Sequence, residues 1–144
     1  MLPSAAMMYV SRRARFSASH RLYNPSFSDA ENLRTFGACS NPHGHGHDYE
    51  IEITVKGDPD PRTGMFINLR DLKDLIHERV VEPATHRSLN HDVPWMAGLI
   101  PTTENVALRI WERLAPALPP GALHKVRVRE SENNVVEYDG PEAR

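Results

Sequence analysis

The chain has 144 residues, 40% of them hydrophobic and 25% charged, which is enough for one domain with its own core and excludes a disordered segment. Its 17 Lys and Arg against 19 Asp and Glu leave a net charge of −2, without the basic excess that holds a nucleic acid backbone. No apolar run approaches the ~20 residues of a membrane span, and the one cysteine, Cys39, leaves no internal disulfide and suits the reducing cytoplasm.

Residues 1–8 lack the basic start and long apolar stretch of a secretory signal, and ragged ends are expected at 1–8 and 140–144. Residues 10–20 then alternate. Val10, Arg12, Ala14, Phe16, Ala18 and His20 fall on one face, and Ser11, Arg13, Arg15, Ser17 and Ser19 on the other. That period of two predicts a half-buried strand. Residues 23–42 are polar and carry no clean period, so they read as a long loop. Residues 45–56 alternate again, with His45, His47, Tyr49, Ile51, Ile53 and Val55 on one face. Dense turn chemistry at 57–64 precedes an expected return strand at 65–67. Leu69, Leu72, Leu75, Ile76 and Val80 recur at helical spacing and predict a helix over 69–82, stopped by Pro83. Residues 84–101 read as a loop. A second helix starts with Thr102 or Thr103 as its cap and Glu104 in its positive first turn, and buries Val106, Ile110, Trp111 and Leu114. Strands at 123–130 and 135–138 close a hairpin around residues 131–134. The order β-β-β-α-α-β-β predicts an α+β domain, a mostly antiparallel sheet with two helices on one face.

Parity locates the chemistry. His20, His45, His47 and Glu130 each extend the apolar face of a predicted strand. Buried imidazoles and carboxylates without partners are costly, so something must satisfy them. Residues i and i+2 of a strand point the same way, so His45 and His47 can grip one ion together. Gly44 and Gly46 allow close backbone approach. His20 completes a three-histidine set suited to Zn²⁺ with one open position, the mark of a catalytic site. His43 offers a rival set, His43, His45 and His47, on a single strand, as in a plain metal carrier. Cys39 is either a thiolate base near a cation or a small buried hydrophobe. His86 is a proton-transfer partner or an ordinary loop histidine. Thr102, Thr103 and Glu104 suffice as a helix cap. Glu130 suits a ligand edge carrying two N–H donors.

Four separated segments, Ser17-Ala18-Ser19-His20-Arg21-Leu22, residues 37–49 (GACSNPHGHGHDY), residues 102–107 (TTENVA) and residues 130–134 (ESENN), together resemble the 6-pyruvoyl-tetrahydropterin synthase family. The likeness runs from about residue 9 to about residue 140. It implies the tunnelling fold, a four-stranded antiparallel sheet with two helices on one side. Three such sheets join as a barrel, and two trimers stack as a hexamer with active sites at subunit interfaces. It implies a zinc-dependent lyase that eliminates triphosphate from 7,8-dihydroneopterin triphosphate. By motif, His20, His45 and His47 match the zinc ligands and Cys39 the proton-abstracting cysteine. His86 matches the cysteine's histidine partner, Glu130 the glutamate that holds the amino-pyrimidine edge, and Thr102 and Thr103, with Glu104 beside them, the pterin pocket. Mg²⁺ is a candidate companion of the triphosphate. No nucleic acid or membrane partner is expected, and the location expected is the cytoplasm.

One departure from the family pattern matters. The resemblance calls for Asp before the histidine at 86, and Thr85 stands there. A hydroxyl can accept a hydrogen bond but brings no charge to the imidazole. A sister enzyme, 6-carboxytetrahydropterin synthase of the queuosine route, acts on the same substrate. The five residues between Cys39 and His45 match the spacing of the biopterin-pathway enzyme, whereas the sister has three. A third reading is a homologue that keeps the zinc and pterin sites and has lost efficient catalysis through Thr85.

Overall fold

The computed structural model describes residues 7–141, so most of the expected ragged ends lie outside the described residues. The chain runs β1 (Met8–His20), α1 (Asp29–Phe36), β2 (His45–Gly57), α2 (Leu69–Ile76), α3 (Glu82–Ala84), β3 (Arg87–Ser88), α4 (Thr103–Leu114), β4 (Leu123–Ser131) and β5 (Asn134–Tyr138). One sheet takes the order β3-β1-β2-β4-β5.

The long strands form where the alternation is cleanest. Phe16 and Ala18 of β1, Tyr49, Ile51, Ile53 and Val55 of β2, and Val126 and Val128 of β4 form one buried face. Leu72 and Ile76 of α2 and Val106, Ala107, Ile110 and Leu114 of α4 pack into the same core. Each buried aliphatic residue contributes roughly 1.5–3 kcal/mol by leaving water. The opposite face is polar and carries charges directly across strands. Arg13 sits opposite Glu52 with Nε 2.8 Å from its carboxylate, and Arg15 opposite Glu50 at 3.1 Å.

The architecture is α+β, with corrections to the expected detail. The sheet has five strands rather than four. The fifth, β3, is a two-residue parallel strand beside Ala18 and Ser19 of β1, too short to leave a periodic trace. The expected strand at 65–67 reduces to a single bridge, Asp60 to Met65, because Asn68 already caps α2 through its side chain. Residues 23–42 hold a third helix, α1, in place of a continuous loop. Ser28 caps it by accepting the Glu31 N–H at 3.1 Å. The Ser-x-x-Glu spacing is a start signal legible in the sequence.

Pro83 does not end the first predicted helix. The chain loosens into a π turn over His77–Val81 and continues through Ala84. Proline has no N–H for the carbonyl one turn back. That carbonyl belongs to Arg79, and it accepts the Nε–H of Arg113 on α4 at 3.1 Å instead.

A histidine–glutamate cluster between two clefts

The β1–β2 register sets His20 opposite His45 and Ala18 opposite His47. All three imidazoles therefore gather at one end of the core face. Gly44 makes the approach possible. Its φ is +66°, and a Cβ there would lie 2.7 Å from the His20 carbonyl oxygen. The rings meet edge to face, with centroids 4.7 to 4.9 Å apart.

His20 is almost fully buried. Its Nδ1 is 2.7 Å from the Pro101 carbonyl, an acceptor only, so Nδ1 carries the proton and Nε2 is bare. That Nε2 lies 3.1 Å from Nε2 of His45. The buried Nε2 of His47 has no hydrogen-bond partner, although Glu130 Oε1 is 3.1 Å away. The other Glu130 oxygen accepts the hydroxyl of buried Thr103. The ligand atoms of His20, His45, His47 and Glu130 all lie within 4.8 Å of one another. His43 is exposed and stands outside this set. Converging imidazole lone pairs repel unless a cation or proton lies between them. This donor set, which includes the orphaned Nε2 of His47, fits Zn²⁺ with nitrogen ligands.

Burial pushes the His20 and His47 imidazoles below the ordinary 6.5, against the pull of the Glu130 charge. It pushes the phenol of Tyr49 up, and Glu130 adds to that rise. The sign of the pH effect follows from the histidines. The unfolded chain takes up protons near pH 6.5, and the folded one only below that. The metal-free protein is therefore most favoured above about pH 6.5 and loses stability as pH falls through the lowered folded values. Thermal melts in chelator are expected to drop between about pH 7.5 and pH 5.5, and the drop should shrink in His47→Gln.

Two clefts flank the cluster. One, of about 450 Å³, is lined by Thr103, Glu104, Glu130, Asn133, Asn134 and Val135. Thr102 caps α4 beside it, accepting the Asn105 N–H at 3.2 Å. The other, of about 630 Å³, has Ser17, His47, Asp48, His86 and Asp92 among its walls. His86 has φ +59°, a left-handed backbone unusual for a non-glycine residue and frequent at functional sites. Its N–H donates to the Ser17 carbonyl at 2.5 Å, while the Ser17 N–H donates to the Thr85 hydroxyl at 3.2 Å. Thr85 thus fastens the His86 turn to the outer edge of β1.

Cys39 is half-buried in the short turn Gly37–Ser40, where its carbonyl accepts the Leu22 N–H at 2.8 Å. It belongs neither to the histidine–glutamate cluster nor to the wall of the His86 cleft. So the structure joins His20, His45, His47 and Glu130, places Thr103 and Glu104 beside them, and puts His86, but not Cys39, in the wall of the second cleft. Sequence reasoning missed Pro101 and Tyr49, which sit behind His20, with the Tyr49 hydroxyl 3.2 Å from Nδ1. Tyr49 shares the parity of His45 and His47, a usable signal. A backbone carbonyl such as that of Pro101 leaves none.

Residues 9–141 match the 6-pyruvoyl tetrahydropterin synthase family. The chain belongs to that family. The human 6-pyruvoyl tetrahydrobiopterin synthase is 53% identical over 131 residues, covering 91% of this chain and 90% of the human one. The Dictyostelium discoideum protein of the same name is 41% identical over 131 residues, covering 91% of this chain and 95% of its own. The solved structure of Caenorhabditis elegans 6-pyruvoyl tetrahydropterin synthase superposes with a TM-score of 0.91 at 36% identity, covering 97% of this chain and 100% of the other. Among the described residues no helix is long and apolar enough to cross a membrane.

Proposed function

We propose that the protein is a zinc-dependent 6-pyruvoyl-tetrahydropterin synthase that eliminates triphosphate from 7,8-dihydroneopterin triphosphate. The observation that carries this reading is the cluster of His20, His45, His47 and Glu130 opening beside the cleft of Thr103 and Glu104. His20, His45 and His47 hold the zinc. When bound, the ion supplies a Lewis acid that acidifies the C–H bonds of the substrate's hydroxylated arm and stabilises enolate-like charge.

The residues do the rest. Glu130, ionised, accepts two N–H groups of the amino-pyrimidine edge and orients the ring. Thr102, Thr103 and Glu104 line its seat. Cys39 removes and returns protons, with His86 as its exchange partner. Within one subunit Cys39 does not line the cleft that holds His86, and the complete site is proposed to include groups from a neighbouring subunit. Support for a barrel of subunits comes from the sheet itself. Among the described residues β5 is an edge strand, and β1 is covered on its outer side only at Ala18 and Ser19. Open edges of this kind invite pairing with another copy. The assembly proposed is a hexamer in the cytoplasm, with Mg²⁺ accompanying the triphosphate.

The test is metal removal. Dialysis against a chelator should abolish triphosphate release from 7,8-dihydroneopterin triphosphate, and zinc should restore it. Full activity in the zinc-free protein would refute the reading. Thr85 gives a further prediction. Its hydroxyl is committed to the β1 backbone and supplies no charge to His86. Thr85→Asp is expected to raise kcat severalfold by favouring the charged imidazole. An unchanged or lower kcat in steady-state assays would show that the relay here needs no carboxylate at that position.

A further inference from the structure

Glu130 sits at a break in the ladder. Arg129 pairs with Val135 and Ser131 with Asn134, so Glu130 is the unpaired residue of a β-bulge. Bulges of this kind re-aim a side chain next to a site. The carboxylate faces two ways. Oε1 lies 3.1 Å from the orphaned Nε2 of His47, inside the ligand cluster, while the same residue lines the cleft of Thr103, Glu104, Asn133 and Asn134. Thr103 holds the second oxygen at the boundary between the two.

The two tasks compete for the same carboxylate, whose oxygens are already engaged by His47 and Thr103. Bidentate capture of two parallel N–H groups takes both oxygens in one plane. Here one oxygen is among the imidazole nitrogens. We infer that Glu130 alternates between them. In the resting protein it closes the coordination of the metal alongside His20, His45 and His47. The pterin draws it away, and that frees the fourth position for the substrate's hydroxylated arm only when substrate is present. The arrangement keeps the resting ion from binding stray ligands and couples ring recognition to opening of the metal. This rests on the metal and pterin reading above, and it deepens that reading by giving one residue both roles.

Cobalt is the probe, because its visible absorption reports the ligand set. The purified protein is loaded with Co²⁺ in place of zinc, as wild type and as Glu130→Ala. Neopterin, which lacks the triphosphate, is then added to saturation, judged by pterin fluorescence. The resting spectra of the two proteins are expected to differ, and the variant should lose Co²⁺ to a competing chelator roughly tenfold or more readily. Saturating neopterin is expected to change the wild-type spectrum. Identical resting spectra would overturn the inference, as would a wild-type spectrum unmoved by bound neopterin. In both cases cobalt and neopterin still bind, so the metal and pterin reading survives. Failure to bind cobalt at all would remove both.

Discussion

His45→Ala should purify without zinc, where the wild type is expected to carry one ion per subunit. Its triphosphate release should fall on the order of 10³-fold, since the chemistry loses its Lewis acid. His45 makes the cleaner variant of the three. His20 is buried and bonded to Pro101, and His47 faces Glu130, so their loss disturbs neighbours directly. His45 is half-buried and starts its strand, and among the described residues its one side-chain hydrogen-bond neighbour is His20. The metal-free melting temperature of His45→Ala should therefore match that of the metal-free wild type. Zinc by elemental analysis and turnover on the same sample decide the point. A variant with wild-type zinc content would move the ligand set elsewhere, with His43 the first alternative.

Cys39→Ala should separate chemistry from binding. It is expected to keep its zinc and its affinity for pterin while kcat falls by roughly 10²–10⁴-fold, the range for loss of a general base. The fold should tolerate the change, because the contact that fixes this turn comes from the Cys39 carbonyl and not from the thiol. KM should move little, which distinguishes a proton-transfer group from one that seats the ring. A kcat within tenfold of wild type would remove Cys39 from the proton path and leave it a small, half-buried packing residue.

Much of this site was legible in the sequence because strands have a period of two. Parity alone set His20, His45, His47 and Glu130 on the apolar faces of their strands. Their meeting depended on the β1–β2 register and on the bulge at Glu130, neither of which composition or spacing encodes. The long strands and α4 were readable from alternation and from the Thr102 cap. Shorter elements were not. β3 has two residues and exists only because β1 offers an edge at Ala18 and Ser19. α1 carries a capping signal at Ser28 and Glu31, but apart from the buried Asn32 its residues are exposed or half-exposed, so no apolar stripe announced it. Pro83 misled because local chemistry stops a helix there, while Arg113, some 30 residues away, supplies the donor that lets it continue. The left-handed turn at His86 likewise depends on two bonds to Ser17, far back in the sequence.

The most direct test of the central claim is the identity of the products. Purified, zinc-loaded protein is given 7,8-dihydroneopterin triphosphate, and triphosphate, acetaldehyde and pterins are followed by mass. Triphosphate with 6-pyruvoyl-tetrahydropterin, and no acetaldehyde, is the result predicted here. Acetaldehyde with a carboxylated pterin would contradict it and assign the protein to the sister activity. Zinc bound but no product would also contradict it, leaving a pterin-binding protein whose catalysis Thr85 has disabled.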